Sequence, residues 1–139
     1  MKKLIIAGLL IVLTLPLVFS ACASSPAAAL GEQFTVYAGV SVSITGESLK
    51  IKFVEMTGDS RCAKGNECFQ AGEVKCLMLI SYFDSQSSLE WVQPGGENIT
   101  AKDFNVFHIV FNVQPYPEAG KKIKPEDYNM VMTVAKFGK

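Results

Sequence analysis

The chain has one histidine and one tryptophan in 139 residues. With a single imidazole, any Ser-His-Asp or Cys-His centre would have to be built on His108. That residue sits in an alternating apolar run with no glycine-rich elbow beside it. Neither a Walker A sequence nor GxGxxG is present. No Cys-x-x-Cys occurs, which removes the usual dithiol redox motif. Excess charge is missing too: 13 basic and 13 acidic side chains give a formal net charge of zero. Residues 1–21 carry two of the lysines, so residues 22–139 hold 11 basic against 13 acidic side chains, a net of −2. That balance excludes a nucleic-acid binder driven by phosphate charge, and a polybasic membrane patch. Helical periodicity is lacking after residue 30, where nothing keeps a 3.6-residue spacing for three turns. The chain shows no internal repeat, and its length fits one domain. It is therefore read as a non-enzyme without a cofactor.

What is present begins with an export signal over residues 1–21. Lys2 and Lys3 give a positive start. An apolar run from Leu4 to Phe19 follows, interrupted only by Gly8, Thr14 and Pro16. Small residues then close the segment. The run is short for a membrane span, which needs about 20 apolar residues. Phe19-Ser20-Ala21-Cys22 resembles the lipobox of bacterial lipoproteins. The resemblance implies cleavage before Cys22 and a diacylglyceryl group on its sulfur. Two or more acyl chains hold a protein to a bilayer stably, where one does not. Residues 22–31 read as the lipid-anchored tether. The expected location is the cell membrane or outer membrane, facing away from the cytoplasm.

Residues 32–139 read as strands. Apolar side chains recur with period two at Phe34, Val36 and Ala38; at Val40, Val42 and Ile44; and at Leu49, Ile51 and Phe53. The pattern continues through Val74–Tyr82, Leu89 and Trp91, Phe107–Val113, and Met130–Val134. Glycine and proline punctuate it, at Gly58-Asp59, Gly65-Asn66, Pro94-Gly95-Gly96 and Pro115-Tyr116-Pro117. An antiparallel β-sandwich of about seven or eight strands is predicted. Segments 74–82 and 104–113 are apolar on both faces and are the expected central strands. Lys124–Tyr128 is expected to hold one helical turn with Pro125 at its start. Trp91, Tyr116 and Tyr128 fall near turns, where they either cap the sandwich or form a binding patch.

Chemistry concentrates in the connection after the third run. Cys62 and Cys68 enclose Gly65-Asn66, a pair suited to a tight reversal. In an exported chain, a disulfide across that turn is the simplest reading. Cys76 is then a small buried side chain. Pairing of Cys76 with Cys62 or Cys68 is the alternative. A competing class is a metal or thiol redox protein using Cys62, Cys68, Cys76 and His108. The Cys-x5-Cys-x7-Cys spacing matches no common zinc pattern. Asp59 and Ser60 are suited to fixing a turn. Arg61 can fork onto Asp59, Glu67 or Glu73. Asp59, Arg61, Glu67 and Glu73 are thus the candidate residues of a rigid, exposed recognition loop.

Asp59-Ser60-Arg61-Cys62, Cys68 and Ala71-Gly72-Glu73 together resemble a family of small bacterial lipoproteins of uncharacterised function. Its hallmark is Asp-Ser-Arg-Cys-Pro, a second Cys, then Trp-Ala-Gly. Here Ala63 stands for the proline and Gln70 for the tryptophan. The layout is similar over most of the mature chain, but the family supplies no activity. The functional expectation is a lipid-anchored, non-catalytic binding module. Its partners would be the membrane and an envelope protein or small ligand.

Overall fold

The computed structural model describes residues 25–96 and 99–138. The signal segment and Cys22 lie outside the described residues. Among the described residues, nine strands run in chain order: β1 Ala27–Ala28, β2 Gln33–Tyr37, β3 Ser41–Ile44, β4 Leu49–Asp59, β5 Glu73–Tyr82, β6 Ser85–Pro94, β7 Thr100–Phe104, β8 Phe107–Gln114 and β9 Asn129–Lys136. They form a five-stranded sheet, ordered β1-β3-β4-β5-β6, and a four-stranded sheet, ordered β2-β9-β8-β7. All pairings are antiparallel except β1 with β3. The protein is an all-β, two-sheet structure of the sandwich type.

Period two decides what goes inside. On β5, Val74, Cys76, Met78 and Ile80 are buried; on β8, Phe107, Ile109, Phe111 and Val113 are buried. Met130, Met132 and Val134 of β9 join them, with Ile51 and Phe53 of β4. Removing such apolar area from water drives the two sheets together. Both segments expected to be central are interior strands: β5 lies between β4 and β6, and β8 between β9 and β7. The expected helical turn is a 3-10 turn at Pro125–Asp127.

Three features depart from the sequence reading. β4 continues through Gly58 to Asp59, with register shifts between Phe53 and Glu55 and between Met56 and Gly58. These bulges carry the strand past a glycine that reads as a breaker. β7 was not anticipated, because only its end residues are even partly buried. Within the segment read as tether, Ala27–Ala28 pairs with Ser43–Ile44.

Candidate functional site

The end of the sandwich where β4 stops is built around the Asp-Ser-Arg-Cys segment. Beyond Asp59 the chain keeps its contact with β5 for a few residues. Ser60 N–H donates to the Glu73 carbonyl at 2.8 Å, and Cys62 N–H to the Ala71 carbonyl at 2.9 Å. The Ser60 hydroxyl accepts from the Glu73 N–H at 3.1 Å. Space here admits only glycine in two places. A Cβ on Gly72, whose φ is +70°, would stand 1.8 Å from the Ser60 carbonyl oxygen; one on Gly95 would stand 1.9 Å from that of Ala71. Gly95 N–H also donates to the Gly72 carbonyl at 2.7 Å. The Ala71-Gly72 pair is therefore threaded between two other backbones.

Arg61 turns inward at this level, and its side chain is fully buried. Its guanidinium forks onto Asp59, with Nε to Oδ1 at 2.9 Å and Nη2 to Oδ2 at 2.6 Å. Nη1 donates to the Val113 carbonyl and Nη2 to the Pro115 carbonyl, both at 2.9 Å. Asp59 accepts further from the Arg61 backbone N–H at 3.2 Å and the Tyr128 hydroxyl at 3.0 Å. Taking a charge pair out of water is costly unless geometry and hydrogen bonding are good. Here the bidentate fork and the carbonyl acceptors meet that need.

The reason Val113 needs such a partner lies in the sheet. β7 pairs with β8 only as far as Phe111. Beyond that point the β8 edge has backbone groups without a neighbouring strand. Gln93 and Arg61, both buried and both from the opposite sheet or its extension, fill the gap. Val113 N–H donates to Gln93 Oε1 at 2.7 Å, and Gln93 Nε2 donates to Asn112 Oδ1 at 3.1 Å.

Outside this clamp sits the disulfide turn. Cys62 and Cys68 are bonded, with 6.0 Å between their Cα atoms. The turn is tied to the β8–β9 connection: Lys64 N–H donates to the Pro117 carbonyl and Ala119 N–H to that of Lys64, both at 2.9 Å. The Gln114–Pro115 peptide is cis. The Tyr116 ring lies 4.9 Å from the Arg61 guanidinium carbon and 5.6 Å from the Lys64 ammonium. An open cleft of about 390 Å³ runs between the disulfide turn and β8, with Asn66, Asn112, Gln114 and Tyr116 among its walls.

Of the four residues read as an exposed recognition loop, Asp59 and Arg61 are inside, because only there do the stranded β8 carbonyls meet a donor. Glu67 is exposed, and Glu73 is paired with Lys75 at 3.1 Å on the surface. Of the three acids considered for Arg61, the structure selects Asp59. Trp91 and Tyr128 are core residues rather than surface aromatics, exposed by only 3% and 4%. Trp91 packs against Phe111 with ring centroids 5.0 Å apart.

Cys76 is a free, buried thiol in β5. Burial pushes its pKa up to about 12. Burial, and then the Asp59 carboxylate beside it, pushes Tyr128 up to about 12 as well. The four residues of the metal hypothesis are not brought together: Cys62 and Cys68 are bonded to each other, and Cys76 is in the core. His108 projects from β8, with Nδ1 2.6 Å from Asp103 Oδ1 and its ring 5.9 Å from that of Phe137. Among the described residues, no group of three or more His, Cys, Asp or Glu side chains is arranged to hold a metal ion.

Sequence reasoning missed the part played by Asn112, Gln114 and Gln93. The available signal was that the polar positions of the 107–114 strand become amides just before Pro115-Tyr116-Pro117. Fold and site together define a small all-β protein with one disulfide-braced end and an open polar cleft beside it. Comparison with protein-family models, curated proteins and solved structures gave no match.

Proposed function

We propose that this protein is a lipid-anchored, extracytoplasmic β-sandwich that acts as a non-catalytic binding module at the cell envelope. The observation that carries this reading is the disulfide-braced end. Its motif residues commit their polar groups to Val113, Pro115 and Glu73, and so hold the walls of an outward-facing cleft in place. Such investment suits preorganised binding, where ordering costs are met before the ligand arrives. The Cys62–Cys68 bond fits an oxidising compartment. The resemblance of Phe19-Ser20-Ala21-Cys22 to a lipobox, and of the Asp-Ser-Arg-Cys segment to small bacterial lipoproteins, supports the anchor. No helix among the described residues is long and apolar enough to cross a membrane.

Mass spectrometry of the membrane-extracted chain tests the proposal. The expected species starts at Cys22, carries diacylglycerol and further acyl mass on that residue, and yields a linked Cys62–Cys68 peptide. A chain that retains residues 1–21, or that has both of these cysteines reduced, would contradict it.

A further inference from the structure

The two outer faces of the sandwich differ in chemistry. On the five-stranded sheet the outward positions include Lys50, Lys52, Lys75 and Glu90. On the four-stranded sheet, β2, β9 and β8 lie side by side, and Val36, Met130, Met132, Ile109 and Val113 point inward. The alternate positions that this leaves outside include Gln33, Thr35, Thr133, Asn112 and Gln114. None of these is charged. The Asp103–His108 pair sits further along, towards the β7–β8 turn. A hollow of about 480 Å³ on this face is lined by Gln33, Thr133, Val110 and Val131 together with Asn112 and Gln114. The last two also line the cleft at the disulfide end. The two depressions therefore adjoin at Asn112 and Gln114.

Amide groups along this track are available. Gln33, Asn66 and Gln114 make no side-chain hydrogen bond to other described residues, and Asn112 uses only its oxygen, towards Gln93. A primary amide offers a donor pair and an acceptor side by side. Hydroxyl groups on adjacent carbons of a sugar ring present the matching pattern. Val110 and Val131 in one depression and the Tyr116 ring in the other supply apolar surface for the C–H patches of successive sugar rings. A polyanion would need several cations along the track, whereas Lys64 is the only one among the described lining residues of the two depressions. A protein partner would need several exposed apolar anchors, whereas Ile99 is the only largely exposed large hydrophobic side chain among the described lining residues of the hollow.

We propose that this track binds an uncharged polysaccharide chain, with Gln33, Asn112 and Gln114 reading its hydroxyls and Tyr116 forming the far wall. The assignment names the ligand class for the binding module above and rests on that reading. The two fail separately: a chain that binds sugar but carries no acyl group removes the anchor alone, and an acylated chain indifferent to sugar removes this assignment alone.

The experiment is an NMR titration of the full-length, ¹⁵N-labelled chain in detergent. The probes are neutral gluco-oligosaccharides and N-acetylglucosamine oligomers, with polygalacturonate as the charged control. At least one neutral probe is expected to shift the side-chain amide signals of Asn112 and Gln114 saturably. The variant Gln33→Ala/Gln114→Ala removes two groups without internal partners and should lower affinity for that probe by at least about tenfold. It should leave thermal unfolding unchanged. Lys50→Gln, on the other sheet, should bind like the parent. Several results would overturn the assignment: no shift with any neutral probe, equal binding by the double variant, or tighter and salt-sensitive binding of polygalacturonate. Concentration-dependent shifts of the same signals without sugar would overturn it in favour of self-association.

Discussion

The two ends of the sandwich are closed in different ways. At one end the chain reverses in the short turns 45–48, 83–84 and 105–106, between paired strands. Backbone groups there find partners close by, as in Phe137 N–H to the Val106 carbonyl at 2.8 Å. Phe83 and Asn105 take up the left-handed conformation, at φ of 50° and 51°. At the other end the connections 60–72, 95–99 and 115–128 are longer, β4 runs on past β3, and β8 runs on past β7. Backbone partners run out beside Val113, so buried side chains replace them: Gln93 accepts from its N–H, and Arg61, held by Asp59, donates to its carbonyl. A short turn closes itself, whereas a long connection closes only by borrowing polar groups from elsewhere in the fold. The second kind of end is also the one that leaves a cleft.

If that contrast is sound, substitutions at the braced end should be severe and those at the hairpin end mild. The largest effect is expected for Arg61→Ala, which strands Asp59 and the Val113 and Pro115 carbonyls. Urea unfolding should show a loss of about 3–5 kcal/mol. Alkaline pH comes next. The Cys76 thiol sits at about 12 when folded, against an ordinary value of 9.0. Its contribution to stability is therefore complete below about pH 9 and is lost as the pH rises towards 12. The change amounts to roughly 4 kcal/mol from this group. Tyr128, raised from 10.0 to about 12, acts in the same direction over the upper part of that range. Unfolding free energies measured from pH 8 to 12 should fall accordingly, and Cys76→Ala should flatten the curve.

Gly72→Ala places a methyl group against the Ser60 carbonyl and forces a left-handed φ on alanine. A loss of about 3 kcal/mol is expected in thermal or urea unfolding. Replacing Cys62 and Cys68 together by serine opens only a short loop, and about 2 kcal/mol should be lost. Hydrogen exchange should then quicken at the Lys64 and Ala119 amides, which pair across the two connections. The smallest effect belongs to the hairpin end. Asn105→Ala keeps every packing contact of the core and costs about 1 kcal/mol through its φ alone. A result in which Asn105→Ala rivals Arg61→Ala would dissolve the contrast.

Much of the fold was legible because period two is a local signal. Val74–Ile80, Phe107–Val113 and Met130–Val134 announce buried strand faces with no knowledge of their neighbours. β7 was not legible, since Thr100–Phe104 is an edge strand with little to bury. β1 is too short to show a period at all. The disulfide followed from compartment and spacing. The fate of Arg61 did not: a charged residue between serine and cysteine reads as surface. Its burial depends on acceptors 52 and 54 residues further along the chain. The uncharged track was hidden for a similar reason. Gln33, Thr133 and Asn112 are each visible as polar alternates. Only the β2-β9-β8 order sets them on one face.

Asp59 and Arg61 form an internal clamp and not a recognition surface. A double-mutant cycle on Asp59→Ala and Arg61→Ala, read by urea unfolding, tests it most directly. Each single change should cost about 3 kcal/mol or more, because each leaves its partner charged and buried. The double variant should fall short of the sum by about 2 kcal/mol or more. Single changes within about 0.5 kcal/mol of the parent, or losses that simply add, would contradict the clamp.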